Sequence, residues 1–271
     1  MRFTINKNEF LKGLLIASHA ISGRSPNPTL LCFKLEMTAK GLEVTADNDD
    51  IAIWTLIPLM NGEKEIIRNY TFGSTLIVAN LLTKAVQMME GEEISLEVID
   101  DRIAKIGDGK TDYSLNCQNA DEYPDIDLEK SGNIFSIPCS DLTKLVETTA
   151  FAALDKNTRP ILMAINLRGE AWRLTATATD SARLSRKSIE IDPSIRFSAN
   201  IPAKTLSEVV RLFEGCIDVE IAASEQKIIF SFANTIVKSR LIAGDYPVSS
   251  SIIPTNFNYR LDVSAPQLLS A

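Results

Sequence analysis

Apolar and polar residues alternate along this chain with two periods, and the order in which those periods follow one another occurs twice. Phe3 and Ile5 alternate with polar neighbours and predict a strand. From Phe10 the spacing becomes helical, with Phe10, Leu11, Leu14, Leu15, Ser18 and Ile21 on one side, and Gly23-Arg24-Ser25-Pro26 ends the helix. Thr29–Leu35, Leu42–Ala46 and Ile51–Ile57 read as strands, with Lys40-Gly41 as a tight turn. A second helix is predicted over Val78–Glu90, where Val78, Leu82, Ala85, Val86 and Met89 line one side and Gly91 is the expected stop. Strands follow at Ile94–Ile99, Arg102–Ile106 and Tyr113–Cys117, and Tyr123-Pro124 closes the unit ahead of a polar linker, Asp125–Asn133.

The same order then returns. Ile134–Ile137 reads as a strand, and the helix after Pro138 turns Leu142, Leu145, Val146, Thr149 and Ala153 inward. Pro28-Thr29-Leu30 is matched 132 residues on by Pro160-Ile161-Leu162, and Leu42, Thr45 and Ala46 by Leu174, Thr177 and Ala178. The helical stretches 78–91 and 202–215 both end Glu-Gly, and Tyr123-Pro124 corresponds to Tyr246-Pro247. This self-similarity predicts a duplicated α+β module, each copy with two helices packed on antiparallel sheet. The units are 1–125 and 126–254. Residues 255–271 open a third copy, with a strand-like stretch at Tyr259–Val263 and the first turns of a helix from Ala265.

Composition narrows the class. At 271 residues with 45% hydrophobic and 23% charged positions, the chain reads as globular and large enough for two units. It contains no run of about 18 apolar residues, and MRFTINKNEF lacks the apolar core of a signal peptide. Cys32, Cys117, Cys139 and Cys216 are scattered without a CxxC pair, so reduced thiols and a cytoplasmic protein are expected. The net charge of −7 argues against wholesale wrapping of nucleic acid but leaves room for a local basic face. Helical spacing supplies one. Lys12, Lys84, Lys144, Lys204 and Arg211 point away from the apolar sides against Glu9, Glu147 and Glu208, while Arg24 and Lys156 stand at equivalent loops after the first and third helices. Such cations either form ordinary solvated faces or touch phosphates, which positions a duplex without reading its sequence.

Chemistry for catalysis is not evident. His19 lies within a helix beside no recurring nucleophile, and neither a GxGxxG nor a GxxxxGK[ST] pattern occurs. Asp47, Asp49 and Asp50 cluster after a strand without EF-hand spacing, so a solvated turn is favoured over a metal-dependent active site. No metal, no cofactor and no enzymatic activity are expected. An enzyme using that acidic cluster and a peptide-docking scaffold without a DNA role stand as the alternatives.

Two stretches carry a resemblance. Ala-Thr-Asp-Ser-Ala-Arg-Leu at 178–184 and Leu-Ile-Ala-Gly-Asp-Tyr-Pro at 241–247, with the helix–Arg24–Pro28 opening and the repeated module, resemble the bacterial β sliding clamp family, the processivity subunit of DNA polymerase III. The resemblance runs over essentially the whole chain, in order. It implies tandem clamp modules with helices lining a hole for duplex DNA and sheets outside, arranged as a head-to-tail homodimer ring with three modules per subunit. DNA polymerase III, the clamp loader and repair proteins would dock through Gln-x-x-Leu-Phe type peptides. The groove it implies uses Leu162, Thr179, Arg183, Leu184, Pro247 and Ile252, with Ser181 and Ala182 on the rim. Its DNA-facing cations are Arg24, Lys156, Lys12, Lys84, Lys144, Lys204 and Arg211, and its dimer edge lies around Tyr113 and Leu115. Ala182 stands where many members carry histidine and Ser251 where a basic residue is frequent, which makes one rim less polar. Most of a third module is missing from this sequence, as from a truncated or shortened member, and with it one wall of the groove and the second ring-closing edge.

Overall fold

The chain opens with β1 (Arg2–Asn6), whose last residue starts the helix behind it. The Asn6 side chain accepts hydrogen bonds from the backbone N–H groups of Asn8 and Glu9 at 3.1 and 3.3 Å, capping α1 (Lys7–Ser18). The structure is a computed structural model that describes residues 1–156, 159–247 and 256–270. α1 buries Phe10, Gly13, Leu14 and Ala17, while Leu15, expected inward, is 42% exposed. Gly13 is the reason. A Cβ there would lie 2.5 Å from Ile57 Cδ1, so the helix approaches the sheet through its smallest residue, and Leu15 is rotated off the contact.

The first half continues through β2 (Cys32–Met37), β3 (Gly41–Asp47), β4 (Ile51–Pro58), a small hairpin of β5 (Met60–Asn61) and β6 (Lys64–Glu65), then β7 (Ile67–Thr71) and β8 (Gly73–Val78). It ends with α2 (Ala79–Met88), β9 (Glu93–Ile99), β10 (Ile103–Gly107) and β11 (Asp112–Gln118). The second half runs β12 (Asn133–Pro138), α3 (Cys139–Glu147), β13 (Ala164–Glu170), β14 (Arg173–Thr179), β15 (Leu184–Glu190) and β16 (Phe197–Pro202), then α4 (Ala203–Arg211), β17 (Asp218–Ala223), β18 (Lys227–Phe232) and β19 (Thr235–Arg240). With β5–β7 set aside, the two halves list the same elements in the same order.

Several sequence expectations are corrected. Residues 29–31 are not strand: Pro28–Leu31 form a 3-10 turn, because Pro28 presets φ and the Asn27 side chain accepts from the Thr29 N–H at 3.1 Å. Pro160–Met163 repeats the turn in the second half. The second helix stops at Met88, and Gly91 does not end it in a left-handed conformation. Asp108 organises the turn that follows: its Oδ2 accepts from the N–H groups of Glu90 and Gly91 at 2.9 Å each, and a Cβ on Gly91 would meet Asp108 Cβ at 2.8 Å. β7 and β8 carry no signal beyond a short apolar run, 75–78, that reads equally well as the start of α2. The strand-like stretch Tyr259–Val263 forms no strand, since no neighbouring strand satisfies its backbone groups, whereas α5 (Ala265–Ser270) is helical as expected.

Pairing of these strands joins the halves. One sheet of thirteen strands runs β12-β17-β18-β19-β4-β3-β2-β8-β11-β10-β9-β1-β7, and a four-stranded sheet runs β15-β14-β13-β16. The junction between the halves is the antiparallel β4·β19 ladder, in register from Thr55↔Thr235 to Ile51↔Ser239. It is extended at its ends by Leu56 N–H to Asn234 O at 2.9 Å and Arg240 N–H to Asp50 O at 3.0 Å. Ile53 and Val237 are fully buried at its centre, and the Thr55 and Thr235 hydroxyls share a buried hydrogen bond of 2.9 Å. The core is continuous across it, from the edge-on pair Phe3–Phe10 (5.9 Å between ring centroids) to Phe230 and Phe232.

The turn into β3 supplies a test. Gly41 sits at φ +147°, and a Cβ there would fall 2.1 Å from Ile57 O. Gly41→Ala is expected to lower unfolding free energy by about 1–3 kcal/mol or more, measured by urea denaturation; an unchanged midpoint contradicts the close approach.

Candidate functional site

Helix packing sets the first candidate surface. α1 lies against α2 and α3 against α4. The two pairs meet where His19 Nδ1, at the end of α1, lies 2.5 Å from Glu208 Oε2 on α4. The helices therefore adjoin in the order α2-α1-α4-α3 across both halves. Lys12, Lys84, Lys144, Lys204 and Arg211 are all exposed on them, as are Arg24 and Lys156 in the loops after α1 and α3. Three are already partnered: Lys144 with Asp141 at 3.3 Å, Lys204 with Asp155 at 3.2 Å and Arg211 with Glu208 at 2.6 Å. Among the described residues Lys12, Arg24, Lys84 and Lys156 form no ion pair. The unneutralised positive charge is thus concentrated in the first half. Exposed pairs of the other kind contribute only about 0–1 kcal/mol each and yield readily to another anion.

The second surface is built on the turn between β14 and β15. Asp180 organises it: Oδ1 accepts from the N–H groups of Ala182 and Arg183 at 2.9 Å each, and Oδ2 pairs with Arg183 Nε at 3.0 Å. Those backbone donors, Arg183 foremost, hold the Asp180 carboxyl below its ordinary value of 3.8. Thr179 Oγ1 donates to Arg183 O at 2.6 Å and accepts from the Ser181 N–H at 3.2 Å, while Ser181 takes φ +81°. Arg183 is thereby presented outward, its guanidinium 5.8 Å from the centre of the Phe151 ring.

Tyr246 fixes the second stretch against the first. Its hydroxyl donates to Ala164 O at 3.2 Å and accepts from the Thr179 N–H at 3.1 Å, which brings 241–247 beside 178–184. Leu162 and Thr179 are buried, at 4% and 6% exposed, Leu184 is half-buried, and Ser181, Ala182 and Pro247 are exposed. Two cavities flank the turn. One of about 670 Å³ is lined by Arg183, Phe151, Met163 and Ile242; the other, about 850 Å³, by Pro247, Tyr246, Arg168, Arg186 and Arg196. Arg183 and Pro247 therefore face different hollows. Ile252 and Ser251 lie outside the described residues. Phe151 is a contact that sequence reasoning missed, since it lies in a short 3-10 turn with no periodicity, whereas Tyr246 is visible in the sequence through its repeat at Tyr123 but not as the anchor of its loop.

The acidic cluster has a structural explanation. Asp47-Asn48-Asp49-Asp50 is the first half's version of the turn just described, with Asn48 Oδ1 accepting from the N–H groups of Asp50 and Ile51 at 3.1 and 3.0 Å and Asp49 at φ +72°. Lys238 and Arg240 line the same small hollow. Among the described residues no group of three His, Cys, Asp or Glu is placed to hold a metal ion, and no helix is long and apolar enough to cross a membrane.

Tyr113 and Leu115 are half-buried on β11, opposite Ile106 and Ala104 of β10. On its other side β11 meets β8 only through Cys117 and Gln118. From Asp112 to Asn116 that side has no ladder partner among the described residues.

Two like α+β units, joined edge to edge in one sheet with adjoining helices, define a tandem-module clamp. The comparisons agree. The model for the N-terminal domain of the DNA polymerase III beta subunit matches residues 1–127, and that for its central domain matches residues 136–248. The beta sliding clamp of Bacillus subtilis is 31% identical over 274 residues, covering 100% of this chain and 72% of the relative. That of Halalkalibacterium halodurans is 30% identical over 259 residues, covering 94% and 68%. The crystal structure of the Bacillus subtilis clamp superposes with a TM-score of 0.91 at 31% identity, over 94% of this chain and 68% of that one. The Streptococcus pneumoniae beta chain gives 0.90 at 30%, over 95% and 69%. This chain belongs to the bacterial beta sliding clamp family, a non-catalytic processivity factor of DNA polymerase III.

The turn makes a pH prediction. Because the folded Asp180 is more acidic than its free counterpart, its contribution is complete above pH 3.8 and is lost as pH falls through the lower folded value. The amide NMR signals of Ala182 and Arg183 are expected to titrate together with a midpoint below 3.8; a midpoint at or above that value contradicts the hydrogen bonding described.

Proposed function

We propose that this chain is a DNA-threading clamp module pair that tethers a replicative polymerase to duplex DNA in the cytoplasm and performs no covalent chemistry. The observation that carries this reading is the adjoining row of four helices, whose exposed cations sit on an otherwise acidic chain. Loose phosphate contacts of this kind hold a duplex while permitting it to slide, and base readout would hinder that. Tethering raises the effective concentration of the enzyme at its template. Residues 1–125 and 126–254 are the two clamp domains in this reading, and 255–271 begin a third.

The docking groove for Gln-x-x-Leu-Phe type peptides of the polymerase and clamp loader is assigned to Leu162, Thr179, Ser181, Ala182, Arg183, Leu184, Pro247 and Ile252. Arg183, held out by Asp180, and the edge of β15 beginning at Leu184 support it. Anchoring apolar side chains there contributes roughly 1.5–3 kcal/mol per fully buried residue. Tyr113 and Leu115, on the open part of β11, are assigned to the edge through which copies meet in a ring.

Two measurements test these assignments. Reversing Arg24 and Lys84 to Glu is expected to reduce the slope of log affinity for duplex DNA against log salt by about 2, at roughly 0.9 per phosphate contact; an unchanged slope removes the helix row from the DNA surface. Leu184→Asp is expected to weaken binding of a Gln-x-x-Leu-Phe peptide more than tenfold by fluorescence anisotropy, since a charge would then be buried against the anchors. Equal affinity for the variant would sink the groove assignment.

A further inference from the structure

Two of the four cysteines, distant in sequence, are brought side by side by the fold of the second half. Cys139 is the first residue of α3, directly after β12, and Cys216 lies in the turn between α4 and β17. The β12·β17 ladder ends at Pro138↔Asp218, and one step further the Cys139 N–H donates to Ile217 O at 2.8 Å. Cys216 is therefore the next residue along from the backbone partner of Cys139. Its turn is held in place: the Cys216 N–H donates to Phe213 O at 3.1 Å, Gly215 takes φ +71°, and Phe213 packs edge-on against Phe232 with ring centroids 4.9 Å apart. Ile217 is 82% exposed and points away, which turns Cys216 toward the core that Cys139 belongs to. The two thiols lie within hydrogen-bonding reach of one another, and the Cys216 thiol also donates to Asp218 O at 3.2 Å. Burial first, and then the neighbouring Cys216 thiol and Asp218, push the Cys139 thiol up to about 12, which leaves half-buried Cys216 as the accessible partner.

We infer that Cys139 and Cys216 form an oxidation site that closes to a disulfide when the protein meets a hydroperoxide. The Cys216 thiolate attacks one peroxide oxygen and the O–O bond breaks. Cys216 becomes a sulfenic acid, and the hydroxide released takes up the proton that Cys216 gave up. The Cys139 sulfur then displaces the sulfenic hydroxyl: the S–S bond forms, the S–O bond breaks, and the proton of Cys139 leaves with the hydroxyl as water. Two thiols thereby lose two electrons to the peroxide, which ends as two waters. A small-molecule thiol reopens the bond by exchange. The other two cysteines are placed apart. Cys32 sits opposite Val78 and Cys117 opposite Ile77, so β8 lies between them, and their side chains enter separate clusters on opposite faces of the sheet. The Cys139–Cys216 bond ties the start of α3 to the turn after α4. It closes a loop that contains β13–β16 and the turn at 179–183, which constrains the unfolded chain. Reversible bonds of this kind are the ones found in reducing compartments.

The experiment is a hydrogen peroxide titration of the reduced 271-residue chain, in buffer and in urea. Alkylation with N-ethylmaleimide under denaturing conditions follows, then mass spectrometry of the non-reduced peptides. The folded chain is expected to yield one linked pair, carrying Cys139 and Cys216 and lighter by two hydrogens than its separate peptides, which dithiothreitol splits. Cys32 and Cys117 are expected to be recovered alkylated. In urea all four thiols are exposed and the shorter chain separation favours Cys117 with Cys139, so the single pair is expected to give way to a mixture. Cys216→Ser is expected to abolish the link and leave Cys139 alkylated. Cys139→Ser is expected to leave a sulfenic acid at Cys216, trapped by dimedone, without any link. Circular dichroism checks that each variant is folded, and Cys139→Ala replaces the serine variant where it is not. Recovery of both thiols alkylated, at peroxide levels that oxidise glutathione in the same sample, would overturn the proposal. So would linkage to Cys32 or Cys117 in the folded chain, or the same single pair in urea.

Discussion

The antiparallel ladder between β4 and β19 is the constraint on which the architecture depends. A sheet edge that ends in water leaves its backbone donors and acceptors unpaired by protein, and each half of this molecule contributes one such edge to the other. Its buried threonine pair and the Ile53–Val237 contact make it a piece of core as much as a sheet seam. Helix placement follows from it. Once the sheets are continuous, α1 and α4 are brought within reach and His19 meets Glu208, giving the helical row its order.

The repeat also decides what each copy of a given turn does. Asp47–Asp50 and Thr179–Arg183 have the same internal hydrogen bonds and the same left-handed third residue. In the first half the strand after the turn is covered by β19, and the turn has become acidic and purely structural. In the second half the following strand is an edge among the described residues, and the turn offers Arg183 outward. One local conformation therefore serves two ends according to whether its neighbouring strand is taken.

Much of this was legible in the sequence because it rests on local rules. The two-unit order, the paired helices, and the inward set Leu142, Leu145, Val146, Thr149 and Ala153 follow from periodicity, and the structure buries the first four and leaves Ala153 half-buried. What was not legible depends on contacts distant in sequence. Leu15 is displaced because Gly13 admits Ile57 from another element. Gly91 is a close-packing glycine because Asp108 reaches the turn after α2 and accepts from its N–H groups. Edge pairing of β4 with β19 has no local signature at all, and the separation of Arg183 and Pro247 between two hollows follows from how Tyr246 anchors its loop. Charge is the intermediate case: helical spacing located the cations, but only the folded acids beside them distinguish Lys84 from Lys144.

The polar stretch between the units, residues 125–132, contains no helix or strand, while the seam formed by β4 and β19 lies elsewhere. Covalent continuity and mechanical continuity are therefore carried by different parts of the molecule. Tension applied across the two units is resisted by hydrogen bonds and buried side chains at the seam, while the peptide crossing is held down along its length, Ile126 by packing against the Leu30–Leu76 cluster and Asp127 and Lys130 by pairing with Lys227 and Glu220 of the second half.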